Sequence, residues 1–304
     1  MLFVAMYCEV CGGMDSSPAF SGTDRLMGVP GQFALRRCLT CGAFGQFPLP
    51  TPDQIMGFYP PDYGPYQSGG AFAKLGTESG LRRRVRHAQA LRQEPGALLD
   101  VGCATGLFLE RMRRRGWQAT GVEINPAIAQ RARDAFGLLV HTGSLESAGL
   151  PDAAFDLVTL WDVLEHVPSP RQTLREIRRV LRPGGWLVFR VPNPESLGAR
   201  IFGRFWAGWD MPRHLWIAPR SALDNALTAA GFRLARTSAS TGRFALAALS
   251  LRYTARDMIK TDMLANAVAS VAGSPVARLL TSPYFSISGA FGRGSLLTYF
   301  AQRH

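Results

Sequence analysis

From residue 97 onward, short apolar runs alternate with stretches whose apolar positions recur at helical spacing. The runs 97–101, 119–124, 138–141, 155–161, 186–191, 232–238 and 296–301 read as strands. Between them, 107–115, 126–136, 170–181 and 221–230 read as helices. Asn125-Pro126 has the residue types of an N-cap and a first helical position, and Gly137 those of a helix stop. Leu174, Ile177, Val180 and Leu181 fall on one face of the third helix, before Pro183-Gly184-Gly185 breaks it. Regular strand–helix alternation predicts an α/β fold, doubly wound around a seven-stranded, mostly parallel sheet.

The remaining text divides around that pattern. Residues 1–50 form a small cysteine-bearing module, and 51–80, rich in Pro, Gly, Tyr and Ser, read as a linker. The α/β domain is expected over 81–304, with an apolar, arginine-containing insertion at 240–294 before the last strand. The apolar stretches of that insertion are interrupted by Pro275, Arg278 and Pro283, too soon for a membrane span. Two readings of it stand: a cap meeting the substrate or a membrane surface, or extra helices packed as core or as a dimer contact.

Four of the five cysteines lie in two tight pairs, Cys8/Cys11 and Cys38/Cys41. Each CxxC places two sulfurs on one turn, and Gly12 and Gly42 follow directly with the backbone freedom a knuckle needs. Two knuckles complete a tetrahedral S4 zinc site, and with no open ligand position that zinc is structural. Thiolate ligands belong to a reducing compartment, so the expected location is the cytoplasm.

The segment Asp100-Val101-Gly102-Cys103-Ala104-Thr105-Gly106 joins the first predicted strand of the domain to a helix. Ligands of open α/β sheets bind outside the carboxyl ends of the strands, and small residues there let the backbone approach closely. The turn lacks a GxGxxG arrangement for a pyrophosphate, and an acid ends the strand. A second acid, Glu123, closes the next strand, where a carboxylate can accept from two ribose hydroxyls. Acid, glycine turn and acid describe a nucleoside without phosphates that carries a cationic amino-acid tail, and S-adenosylmethionine fits.

Asp100 to Gly106, Val122-Glu123, Phe155-Asp156-Leu157-Val158, Val163-Leu164-Glu165-His166-Val167 and Leu181-Arg182-Pro183-Gly184-Gly185 resemble, in order, the motifs of class I S-adenosylmethionine-dependent methyltransferases. The cysteine module followed by Gly57-Phe58-Tyr59-Pro60-Pro61-Asp62-Tyr63 resembles a subgroup with an N-terminal zinc ribbon, some of whose members methylate sugar carbons. The resemblance implies that Gly102 and Gly106 shape the turn around the methionine moiety, with Asp100 near its amino group and Glu123 on the ribose. Cys103 and Trp161 join the cofactor-binding candidates. Ser144 stands where relatives usually carry an acid for the adenine amino group, and Leu145 can offer its backbone N–H. Ala104 replaces a common glycine.

Methyl transfer from a sulfonium is an in-line displacement, so a protonated acceptor also needs a base. Asp162, Glu165 and His166 follow the fourth strand. Their spacing resembles that of ubiquinone-pathway O-methyltransferases, which implies a divalent ion under a catechol-like substrate. Alternatively, Glu165-His166 stabilises the loop without metal. A second set is Asp210-Met211-Pro212-Arg213-His214, preceded by Trp206 and Trp209. An imidazole ordinarily titrates near neutrality, so His214 suits a general base, with Arg213 holding an anionic group, or it fixes a lid by hydrogen bonding. Tyr59-Pro60-Pro61-Asp62 has the wrong order and place for an amino-group methyltransferase signature.

The chain of 304 residues carries a net charge of +12, and all but two of its basic residues are arginine. The excess is local: residues 82–116 are at +6 and 199–304 at +9, while 1–81 are at −2 and 117–198 at −1. A ribbon without basic excess argues against a grip on RNA, and a basic cap suits an acidic small molecule or the inner membrane surface. The expected activity is O- or C-methylation of a small, anionic or lipid-linked acceptor such as a sugar or lipid-linked glycan. An RNA methyltransferase and a non-catalytic zinc- and nucleoside-binding protein are the competing readings.

Overall fold

The computed structural model describes residues 7–60, 63, 71–241, 243–259, 261–272 and 274–304. The strands, in chain order, are β1 (Ser16–Gly22), β2 (Phe33–Cys38), β3 (Phe44–Gln46), β4 (Ala97–Val101), β5 (Gln118–Glu123) and β6 (Leu139–Thr142). They continue as β7 (Phe155–Trp161), β8 (Leu181–Pro192), β9 (Trp216–Ile217), β10 (Phe232–Thr241) and β11 (Leu296–Arg303). The chain resolves into two compact units that do not follow the boundary at residue 50. One comprises 1–58, 191–226 and 237–298; the other comprises 59–190, 227–236 and 299–304.

The second unit holds the expected sheet, seven strands in the order β10-β11-β8-β7-β4-β5-β6. The pairs β4/β5, β5/β6, β4/β7 and β7/β8 are all parallel. Strand β7 is buried along its whole length, as a central parallel strand covered on both faces requires. Helix Pro126–Phe136 starts where the sequence places it. The Asn125 side chain accepts from the N–H groups of Ala127 and Ile128, and Gly137 ends the helix in the left-handed region at φ 62°. Helix Pro170–Val180 buries Leu174, Ile177 and Val180. That helix stops at Val180, before Pro183-Gly184-Gly185, which lie within β8 instead: Leu181 pairs with Phe155, and pairing resumes at Trp186 opposite Leu157 after an irregularity. The core gathers Leu98, Leu109, Met112, Leu157, Val188 and Phe300, with Val85 and Ala88 of helix Ala71–Gln89 against them.

The first unit is built around an antiparallel four-stranded sheet, β1-β2-β3-β9. Its fourth strand comes from far along the chain: Phe44 pairs with Ile217 and Gly45 with Trp216. The cysteine module is therefore no free-standing ribbon, because its outer strand β3 needs β9 to satisfy its backbone groups. Phe20 and Phe44 meet the Trp209 ring edge-on at 5.0 and 4.9 Å, and Leu35, Trp206, Met211 and Ile217 complete this smaller core. The expected linker carries helix Pro52–Gly57, started by a Thr51/Gln54 capping box, and the beginning of helix Ala71–Gln89. Pro61 and Asp62 of the aromatic segment lie outside the described residues. The insertion forms three helices, Arg243–Ile259, Asp262–Ala272 and Pro275–Ala290.

Candidate active site and metal centre

The chain runs β4-β5-β6 toward one edge of the large sheet and returns through β7 and β8 toward the other. The order therefore reverses between β4 and β7, and ligands of open sheets bind outside the carboxyl ends at such a switch point. Asp100 sits there. Its carboxyl is buried and accepts from the Thr159 hydroxyl of β7 at 2.5 Å. Burial raises it to about 7, and the Thr159 bond and the Arg84 charge offset only part of that penalty. The site thus holds a carboxyl short of positive partners, which suits the cationic amino group of an amino-acid tail.

The turn that follows is fixed by its backbone. Gly102, Ala104 and Gly106 all have positive φ, at 68°, 48° and 78°. A side chain at Gly102 would bring Cβ to 2.5 Å from Val163 Cγ2, and one at Gly106 to 2.7 Å from Leu138 Cδ1. Glycine is required here by packing inside the protein as well as by any ligand. The N–H groups of Gly102 and Cys103 donate to the Val122 carbonyl at 2.8 and 3.1 Å, tying the turn to β5.

Glu123 ends β5 and is held as a rigid acceptor. Its Oε2 accepts from the Ala104 N–H and its Oε1 from the Asn125 N–H, both at 2.9 Å. Burial raises its carboxyl above the ordinary value, against the pull of these backbone donors. Each oxygen keeps a lone pair, which is what two vicinal hydroxyls require. Downstream, Gly143 donates to the Glu123 carbonyl at 2.9 Å. Leu145 is buried, while the Ser144 hydroxyl accepts from the Ser147 N–H at 3.3 Å. Residue 144 is a serine, with no carboxylate at that position.

Two cofactor candidates turn inward. The Cys103 side chain packs in the core, next to Gly121 and Leu109, so only its backbone borders the turn. Trp161 is also buried in the core, edge-on to Phe108 at 5.7 Å, with the Arg84 guanidinium 5.5 Å from its ring centre. Its indole N–H has no hydrogen-bond partner among the described residues.

Sequence reasoning missed the arginines beside Asp162. Arg190 and Arg84 both donate to its carboxylate, Arg190 Nε at 2.6 Å and Arg84 at 3.3 Å. Burial opposes ionisation of Asp162, but Arg190 and then Arg84 outweigh it and keep the group anionic. Asp162 is thus taken up by two guanidiniums and does not join Glu165 and His166 as a metal-ligating trio among the described residues. Glu165 is buried in the short helical turn Leu164–His166, and the Tyr59 hydroxyl lies 2.8 Å from His166 Nδ1. The signal for Tyr59 was the aromatic stretch of the family resemblance, and Thr159 left no signal at all.

In the other unit, the segment carrying His214 is held tightly. His214 Nδ1 donates to the Gly208 carbonyl at 2.8 Å, which directs Nε2 toward Asp210, 4.0 Å away. Arg213 is not an external anion holder. Its buried guanidinium pairs with Asp24 at 2.8 and 2.7 Å and with Asp210 at 2.7 Å. Burial raises Asp24, but hydrogen bonds from Arg213 and from the Met27 and Leu26 backbone bring it below its ordinary value.

The four ribbon cysteines converge. Cys8 Sγ lies 3.7 Å from Cys41 Sγ and Cys11 Sγ 3.6 Å from Cys38 Sγ, and all four sulfurs fall within 4.8 Å of one another. The two knuckles are built alike: Gly12 donates to Cys8 at 2.7 Å and Gly42 to Cys38 at 3.0 Å, both glycines with positive φ. Cys8 falls to about 5 through its hydrogen bond with Cys41, whose own thiol rises in consequence. Four sulfurs this close ionise together only around a cation, and an all-thiolate tetrahedral set fits zinc.

Known proteins resemble this chain in sequence and in fold. Residues 76–237 match the family model described as a methyltransferase domain. The ubiquinone biosynthesis O-methyltransferase of Alkalilimnicola ehrlichii is 37% identical over 114 residues, covering 35% of this chain and 46% of that protein. The enzyme of the same name from Xanthomonas oryzae pv. oryzae is 33% identical over 139 residues, covering 43% and 58%. The chain therefore spans about half the length of the curated relatives it matches. A crystal structure of an S-adenosylmethionine-dependent methyltransferase from Archaeoglobus fulgidus superposes with a TM-score of 0.50 at 19% identity, over 74% of this chain and 94% of that one. The family match covers just over half of the chain, the sheet order is that of the fold, and the motif residues meet at its switch point. This chain belongs to the class I S-adenosylmethionine-dependent methyltransferase family.

Proposed function

We propose that the protein transfers a methyl group from S-adenosylmethionine to a hydroxyl oxygen of a small-molecule acceptor. The observation that carries this is the pair of buried carboxyls, Asp100 and Glu123, on either side of the positive-φ turn at the switch point. Asp100 would hold the amino group of the cofactor, Glu123 its ribose hydroxyls, and Ser144 and Leu145 would border the adenine. The bound cofactor supplies an electrophilic methyl. The protein's part is to orient the acceptor in line with it, exclude water and remove the acceptor proton. His214 is the favoured base, because Nδ1 donation to Gly208 keeps Nε2 unprotonated in the neutral ring and Asp210 can stabilise the imidazolium. His166, with Tyr59 on its Nδ1 and Glu165 beside it in sequence, is the second candidate. Oxygen is favoured over carbon because the curated relatives are O-methyltransferases.

Isothermal titration with S-adenosylhomocysteine tests the reading, with micromolar binding to the zinc-loaded chain expected and absence of binding overturning it. Zinc in the ribbon is part of the same proposal, and metal analysis after chelator-free purification should find one equivalent.

The acceptor reading extends to a membrane-borne or lipid-linked molecule on one further observation. Met263, Val271, Val276, Leu279, Leu280 and Phe291 of the helical insertion and the turn after it are each at least two-thirds exposed. Residues 199–304 carry most of the basic excess, so an anionic bilayer matches both the apolar and the charged character of this region. No helix among the described residues is long and apolar enough to cross a membrane, so contact would be peripheral. Co-sedimentation with vesicles of 30% anionic lipid is expected, with retention in the supernatant under the same conditions as the contrary result. Leu279→Ser/Leu280→Ser should weaken it at least fivefold with thermal stability unchanged.

A further inference from the structure

The residues that hold the His214 segment come mainly from the cysteine module. The Gln46 side chain, buried at the end of β3, donates to the carbonyls of Pro212 at 2.5 Å and His214 at 3.0 Å. The Gln46 backbone N–H donates to the Leu215 carbonyl at 2.9 Å. Asp24, in the turn after β1, receives both terminal nitrogens of Arg213, while its oxygens also accept from the N–H groups of Leu26, Met27 and Val29. Arg213 in turn holds Asp210, which sits in the left-handed region at φ 31°. A non-glycine residue there persists only when its surroundings fix it, and the fixing groups are Arg213 and the neighbouring backbone bonds. Arg213 and His214 both donate their backbone N–H to the Asp210 carbonyl, at 2.8 and 3.1 Å.

The cysteine knuckle lies at the root of this support. Cys38 ends β2, Cys38 and Cys41 flank the turn into β3, and Gln46 follows five residues after Cys41. Gln46 can present its amide only while β3 stays in register between β2 and β9.

We propose that the zinc ribbon is the positioning scaffold of the His214 segment, with Gln46, Asp24 and Arg213 as positioning residues that make the imidazole's orientation depend on metal at the four cysteines. The relevance to catalysis rests on the reading of His214 as base, whereas the coupling itself does not. The network is buried, charge-assisted and doubly anchored, so losing one member leaves its partners' polar groups unsatisfied.

The test is NMR of the full chain labelled with 13C at histidine Cε1. Five histidine signals are expected, with that of His214 assigned by its absence in His214→Asn. In the zinc-loaded wild type the His214 signal should be sharp, with the shift of a ring protonated at Nδ1. Removing zinc with a chelator, or replacing Gln46 by Leu with zinc retained, should broaden it or move it by at least 0.5 ppm. The His166 and His141 signals and S-adenosylhomocysteine affinity should stay within twofold of wild type as the control for folding. An unchanged His214 signal in Gln46→Leu, with one zinc equivalent and control affinity intact, overturns the proposal. Should chelation unfold the chain outright, Gln46→Leu alone decides. If His214→Asn keeps full methyl transfer while the signal still follows zinc and Gln46, the base assignment fails and the coupling stands.

Discussion

The two compact units of this chain reach order by different means. The large sheet draws on one long run, 59–190, with two short returns, and its core is apolar: Leu98, Leu157 and Val188 are fully buried. The ribbon unit has no such dominant run: it is assembled from 1–58, 191–226 and 237–298, and the apolar cluster at its four-stranded sheet is smaller. It compensates with four converging sulfurs and a buried ion cluster, Arg213 with Asp24 and Asp210. Where few apolar side chains meet, as around the four-stranded sheet, such staples supply order that burial alone does not.

The sharpest way to break this comparison is to remove a staple. Cys38→Ser should abolish zinc retention and, because structural zinc contributes on the order of 10 kcal/mol in small domains, unfold the ribbon unit. S-adenosylhomocysteine affinity should stay within about threefold if the sheet unit folds on its own, and calorimetry with metal analysis reads both. Next in size, Arg213→Ala leaves the buried Asp24 carboxylate and the partly buried Asp210 without their cation and should cost about 3–5 kcal/mol in urea unfolding. The same ion cluster gives a pH signature. Asp24 has a folded pKa below its unfolded value, so its contribution is present above the unfolded value and is lost as pH falls through the folded one. The wild type should lose stability below about pH 4, and Asp24→Asn should flatten that part of the profile.

On the sheet side the expected effects are smaller. Glu123→Ala removes an acceptor oriented by two backbone N–H groups, and S-adenosylmethionine affinity should fall on the order of 100-fold by titration calorimetry. Smaller still is a pH effect at Asp100. With its carboxyl near 7, the apo protein holds a proton that a cationic ligand displaces, so affinity should rise up to about tenfold per pH unit below 7 and level off above it. Asp100→Asn should remove that slope along with part of the affinity; a slope that survives would detach it from Asp100.

Legibility followed how local a feature is. Strands 97–101 and 155–161 and the cap-to-cap helix Pro126–Phe136 coincide with their sequence reading because local pattern and burial agree there. The glycine turn and both acids were legible because strand-end chemistry sits in one short segment. Thr159, Arg84 and Arg190 were not, since each reaches Asp100 or Asp162 from another element and carries no local mark. Ala104 shows the same limit: its φ of 48° is imposed by the turn around it.

Sequence alone determined the α/β alternation, the S4 donor set and the acid–turn–acid order of the cofactor site. Each is built from short local patterns, in which spacing, caps and glycine placement act on the neighbouring chain. Only the tertiary structure decided that the ribbon borrows β9, that Asp24 takes Arg213 away from any external anion, and that Asp162 is closed off by two arginines. The partners in those contacts lie up to 189 residues apart along the chain, and no local pattern encodes which distant group will neutralise a buried charge.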